Sequence, residues 1–111
     1  MSHADAMKEY IVVLITASSE EEAEAIARGI LGARLAACVN MLNKVRSLYW
    51  WQGRIGEGKE VLMIVKTKRD LFRKLAEKVK SLHSYSVPEI IALPIIEGSG
   101  DYLAWLGEET E

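Results

Sequence analysis

Apolar positions along the chain change their spacing several times, and each change predicts a different element. Tyr10-Ile-Val-Val-Leu-Ile15 is a β-branched run with no polar gap, as in a strand covered on both faces. Ser18-Ser19-Glu20-Glu21-Glu22 follows. Ser19 with Glu22 reads as a capping box, and three carboxylates in a first turn suit the positive end of a helix dipole. Ala23, Ile26, Ala27, Ile30 and Leu31 then recur at helical spacing, with Gly32 as the stop. A second strand is predicted from about Ala36 to Trp51, bent or bulged at Asn43-Lys44. Gln52 to Gly58 carries three glycines and reads as a hairpin turn, and Glu60 to Thr67 as the third strand. Asp70 is placed to cap a second helix that buries Phe72, Leu75, Ala76, Val79 and Leu82 or His83, while Lys74, Lys78 and Lys80 face solvent. Pro88 opens a fourth strand over Ile90 to Ile96, and Pro94 inside it requires an edge position or a bulge. After Gly98-Ser99-Gly100, a short helix carries Tyr102, Trp105 and Leu106 on one side.

The order β-α-β-β-α-β plus a terminal helix predicts an α+β fold, the ferredoxin-like split sandwich. Its two main helices cover one sheet face. The other face is apolar too, and only the short tail helix is left to cover it, which marks a binding or oligomer surface. Length and composition sharpen this. The chain has 111 residues, 50% of them hydrophobic, ample for a body that buries only about two-thirds of its unfolded surface. Residues 7–111 read as a single domain and residues 1–6 as a frayed or non-native tail, with Met7 a candidate start. No apolar run approaches the ~18 residues of a spanning helix. A net charge of −2 argues against a nucleic-acid partner, which calls for a basic excess. The lone Cys38 forms no internal disulfide and no secretory leader pattern opens the chain, so a cytoplasmic location is expected.

Candidate chemistry is sparse. No phosphate-cradling glycine loop follows the first strand, and the third strand, EVLMIVKT, lacks the aromatics of an RNA-binding sheet. Cys38 sits between apolar neighbours, as a small buried hydrophobe does. His83 reads either as a helix-end residue bonding a carbonyl or as a weak metal ligand. No CxxC, HxH or HExxH spacing is present, so a metal site has to be assembled in space, from distant segments or from two subunits. A thiol and an imidazole favour copper or zinc. Asn40, Glu60, Lys66 and Glu89 interrupt or flank apolar strands, and such groups either share a polar pocket or lie at a solvated margin. Tyr49-Trp50-Trp51 places two indoles at a strand end, suited to an interface or a core.

Several stretches together carry a resemblance: Leu35-Ala36-Ala37-Cys38-Val39-Asn40, Ser47-Leu48-Tyr49-Trp50-Trp51-Gln52-Gly53, Lys66-Thr67, His83-Ser84-Tyr85-Ser86-Val87-Pro88-Glu89-Ile90 and Tyr102-Leu103-Ala104-Trp105-Leu106. In order and spacing, over about residues 7–107, the chain resembles the CutA divalent-cation tolerance family. The resemblance implies a ferredoxin-like subunit in a sheet-packed homotrimer, with a role in tolerance of copper and other divalent cations, no obligatory cofactor and no firmly attached reaction. Carried over to matching positions, it implies a polar cluster of Cys38, Asn40, Trp51, Glu60, Lys66, Tyr85 and Glu89 near a cleft between subunits. Two positions depart from the pattern. Ile15 stands where some bacterial members have a cysteine, and Leu82-His83 where some have two histidines. A thiol and one imidazole of the copper site proposed in those members are therefore missing, which leaves His83 and nearby carboxylates for weak metal binding. Two other readings stay open. One is a trimeric sensor resembling the PII signalling proteins and binding a small molecule or anion in the inter-subunit cleft, although the loop between the second and third strands, about Gln52 to Lys59, is short for it. The other is an enzyme using Tyr85, Lys66 or Glu89 as acid or base, for which the sequence offers no convincing nucleophile.

Overall fold

A computed structural model describes residues 9–111. The expected tail over residues 1–6 lies outside the described residues. The chain runs β1 (Tyr10–Ala17), α1 (Glu20–Gly32), β2 (Cys38–Trp51), β3 (Arg54–Lys68), a 3-10 turn (Arg69–Leu71), α2 (Phe72–Leu82), β4 (Ile90–Pro94) and α3 (Gly100–Glu108). The four strands form one sheet in the order β2-β3-β1-β4, and every adjacent pair is antiparallel.

Burial alternates along β1 and along β3 from Val61 onward, so successive side chains take opposite faces. Ile11, Val13, Ile15, Ala17, Val61, Met63 and Val65 lie buried against Ala23, Ile26 and Ile30 of α1 and Leu75 and Val79 of α2. Val12, Leu14, Leu62 and Ile64 take the other face and are only half-buried. Register sets Leu42, Ile91 and Leu93 beside them, at 46%, 51% and 51% exposure. One face of the sheet is thus core and the other an apolar surface with little over it. Among the described residues only α3 crosses that surface, at one end. Gly107 permits it: a Cβ there would stand 2.9 Å from the Tyr10 hydroxyl. Arg34 to Glu109, at 2.8 Å, and Lys74 to Glu111, at 3.1 Å, hold the chain's end in place.

Beyond the last β1 pair, Ala17 with Val61, β2 and β3 continue as a two-stranded arm from Val45–Glu60 to Trp51–Arg54. The arm accounts for the 47 Å long axis of a body only 26 and 22 Å across. The expected bulge falls between Leu42 and Val45, with Lys44 at φ 60°. The hairpin turn is tighter than Gln52 to Gly58. Gln52 and Gly53 make it alone at φ 50° and 76°, both in the left-handed region that matches strand twist. Gly56 and Gly58 are strand residues instead. Tyr49 faces Gly56, and a Cβ on Gly56 would lie 2.9 Å from its ring, so the glycine makes room for the aromatic rather than a loop.

Three further expectations change. Asp70 does not cap α2. It lies inside the 3-10 turn, and Leu71 takes the cap position with no side-chain bond. The capping box is half formed: Glu22 N–H donates to Ser19 Oγ at 3.1 Å, while the Glu22 carboxylate turns away to other partners. The fourth strand ends at Pro94, on the sheet edge, rather than at Ile96.

Candidate functional site

Of the seven residues expected in one polar cluster, five separate into two groups within a single chain and two stand apart. Glu60 and Lys66 share the open face of β3 six residues apart, roughly 20 Å along an extended strand.

At one end, where β2 begins, Cys38 faces Lys66 across the ladder. Lys66 Nζ donates to Asn40 Oδ1, and Cys38 Sγ lies 3.8 Å from the same oxygen. The sequence did not point to Tyr102, which its spacing placed among the apolar residues of α3. Its phenol is pushed above the ordinary tyrosine value by burial and by the Cys38 thiol beside it.

At the other end, where β1 stops and the arm begins, Tyr85 Oη donates to Glu60 Oε2 at 2.8 Å. Burial first, and then the Glu60 carboxylate, push the Tyr85 phenol up to about 12. The His83 ring packs on it with centroids 4.7 Å apart, and no part of the His83 side chain reaches solvent. Its Nε2 is 2.7 Å from the Thr16 carbonyl, which only accepts, so Nε2 carries a proton. Its Nδ1 accepts the Tyr85 backbone N–H at 3.0 Å and lies 3.0 Å from Glu22 Oε1. Glu22 also accepts from Ser18 Oγ at 2.7 Å and Ser84 Oγ at 2.6 Å. Burial raises the Glu22 carboxyl, but those hydrogen bonds and one from the Ser84 backbone N–H outweigh it and hold the group below its ordinary value. Glu22 thus adds stability above the ordinary carboxylate pKa that is lost as pH falls through its lowered folded value. Glu22, Ser84 and Thr16 escaped notice in the sequence because three successive glutamates and a capping pattern gave no reason to single out one.

Trp51 sits at the arm tip, 55% exposed, and Glu89 is exposed just before β4; neither meets the other candidates. A cavity of about 710 Å³ beside Ile11, Arg69, Phe72, Arg73 and Pro94 contains none of them.

The donor set does not fit a metal within one chain. Both His83 nitrogens are committed to protein groups, Cys38 lies beside an ammonium's hydrogen-bond partner, and no three His, Cys, Asp or Glu side chains converge among the described residues. None of the helices described is long and apolar enough to cross a membrane.

The Tyr85 arrangement predicts an alkaline signature. A phenol raised to about 12 contributes stability in full below the ordinary tyrosine value near 10 and loses it as pH rises toward the folded value. Near-ultraviolet titration should show a tyrosine ionising at about 12, absent in Tyr85→Phe; an unchanged titration curve in that variant would contradict the Glu60 contact.

Residues 11–109 match the model of the CutA1 divalent ion tolerance protein family. The chain is 54% identical over 99 residues to the divalent-cation tolerance protein CutA of Thermus thermophilus, covering 89% of this chain and 96% of that one. A solved structure of the Thermus protein superposes with a TM-score of 0.90, covering 92% of this chain and 99% of that chain. The Archaeoglobus fulgidus structure, described as a periplasmic divalent cation tolerance protein CutA, is 43% identical with a TM-score of 0.90, over 92% and 99% of the two chains. A rice relative described as chloroplastic is 44% identical over 90% of this chain, which spans only 56% of it. Family model, identity and fold agree, and this chain belongs to the CutA1 divalent ion tolerance family.

Proposed function

We propose that the protein is a non-enzymatic, ferredoxin-like subunit that works as a homotrimer in divalent-cation tolerance, with its polar residues brought together at subunit contacts. The observation that carries this reading is the open sheet face. Val12, Leu14, Leu62, Ile64, Leu42, Ile91 and Leu93 form an apolar surface that the chain's own helices leave largely bare, and water-exposed apolar area of this kind is stabilised by association. The arm, with Trp50 at 75% exposure, adds apolar surface that a lone two-stranded hairpin supports poorly. Assembly would draw Cys38, Asn40 and Lys66 toward Trp51, Glu60, Tyr85 and Glu89 of neighbouring copies, bridging a gap that one chain leaves open.

A copper or zinc site in this reading takes ligands from more than one chain, because a single chain brings no adequate set together. His83 lies outside that site and holds Tyr85 against Glu60. The relatives' names tie them to divalent cations, and a cytoplasmic location remains part of the proposal. Light scattering at micromolar concentration should return three times the 12.4 kDa chain mass, and a monomeric mass would refute the assembly. Calorimetry with copper and zinc should give saturable heat with the trimer, and no heat with either ion would remove direct metal binding.

A further inference from the structure

Beyond cation tolerance, we propose that the groove between α2 and β4 binds a small amphipathic carboxylate of the medium-chain fatty-acid type. Arg69 and Arg73, which line it, take the acid group, and its apolar floor takes the chain. The groove is built within one chain and lies on the helix side of the sheet, away from the open face.

The groove exists because the helix layer stops short of the edge strand. Register sets Pro94 beside Ile11 and Ala92 beside Val13, so all four side chains take the face that α1 and α2 cover. Ile11 and Val13 are buried there, whereas Pro94 and Ala92 on β4 are exposed. The space left over them is the cavity of about 710 Å³, which Phe72 of α2 and Ile96, 72% exposed, also line. That volume and that apolar lining suit a small organic molecule, whose burial removes apolar area from water.

Charge then selects the kind of molecule. Arg69 stands in the 3-10 turn and Arg73 in the first turn of α2, and neither has a carboxylate within ion-pair distance among the described residues. Asp70 lines the cavity too, so two guanidinium groups stand against one carboxylate and the groove is net positive. Guanidinium N–H groups match a carboxylate in pairs, through charge-assisted hydrogen bonds. A divalent cation would meet the excess positive charge with a single carboxylate to hold it. An inorganic anion would engage the arginines but leave the apolar floor in water. An acid group on an apolar chain satisfies both parts together.

The test is titration calorimetry of the full chain with sodium octanoate, beside 1-octanol as the tail alone and sodium acetate as the head alone. Light scattering is read on the same samples. Octanoate should bind saturably and about tenfold or more tighter than octanol, the gain expected of one charge-assisted hydrogen bond. Acetate should give no saturable heat. The double variant Arg69→Gln, Arg73→Gln should lower octanoate affinity to that of octanol and leave octanol binding unchanged. Ile96→Glu sets a carboxylate at the groove and should abolish octanoate binding, with the fold kept because Ile96 is exposed. A wild type that binds no octanoate, or binds octanol equally well, would overturn the proposal. So would a double variant that binds octanoate as wild type does. Octanoate binding by monomeric Leu14→Asp but not by trimeric wild type would also overturn it, since a second copy would then fill the groove. None of these outcomes decides the assembly itself, which light scattering reads separately.

Discussion

Leu14→Asp should turn the proposed trimer into monomers at micromolar concentration while leaving the subunit folded. Leu14 lies on the open face of β1, paired with Ile64 on one side and Ile91 on the other, and it is half-buried in the single chain. There an aspartate stays hydrated, and its cost to the subunit is that of a poor strand former, about 1 kcal/mol. Against a second subunit the same carboxylate is desolvated with only apolar groups around it, which costs roughly 3–5 kcal/mol. The penalty falls once per subunit, so three copies of the substitution weaken the assembly by far more than they weaken each fold. Light scattering should fall to the chain mass while far-ultraviolet circular dichroism is retained. Leu14→Met, which keeps volume and polarity, should stay trimeric. A Leu14→Asp protein that remains a trimer would show that the open face is not the contact surface.

Most of the fold was legible because it rests on local periodicity. The stripe Ala23, Ile26, Ala27 and Ile30 is the buried side of α1, Pro94 ends an edge strand, and the surplus apolar residues occupy the face opposite α1 and α2. Two of the errors share a cause, which is that a residue's local preference yielded to a partner on another element. Gly56 and Gly58 suggested a loop until Tyr49 lay across them. Glu22 suggested a cap until Ser84 and His83 drew its carboxylate away. The candidate site was legible as residue types but not as an arrangement. Cys38, Asn40 and Lys66 meet because β2 and β3 are paired in a particular register, and Tyr85 meets Glu60 through the placement of the segment after α2. Neither register nor that placement has a signal in hydrophobic spacing.

His83→Ala should destabilise the protein strongly without changing any heat of copper or zinc binding. A ligand role would give the opposite pattern, since an imidazole held ready for a metal leaves a lone pair free and contributes little to packing. The structure shows neither property. The side chain is 0% exposed, its Nε2 proton is taken up by the Thr16 carbonyl at 2.7 Å, and its Nδ1 lone pair by the Tyr85 N–H at 3.0 Å. Truncation leaves a ring-sized cavity and strands a part-buried carbonyl and a part-buried N–H together. Cavity and unpaired polar groups add to about 2–4 kcal/mol. The loss should be seen as a lower urea midpoint at fixed protein concentration. In the same variant the segment from Ser84 to Glu89 loses its anchor to β1. Tyr85 should then drift from Glu60, and its late ionisation should move back toward that of an ordinary tyrosine. His83→Gln, which offers an amide N–H to Thr16 and an oxygen to Tyr85, should recover part of the stability. A His83→Ala protein as stable as wild type but stripped of metal binding would restore the ligand reading and remove the supporting one.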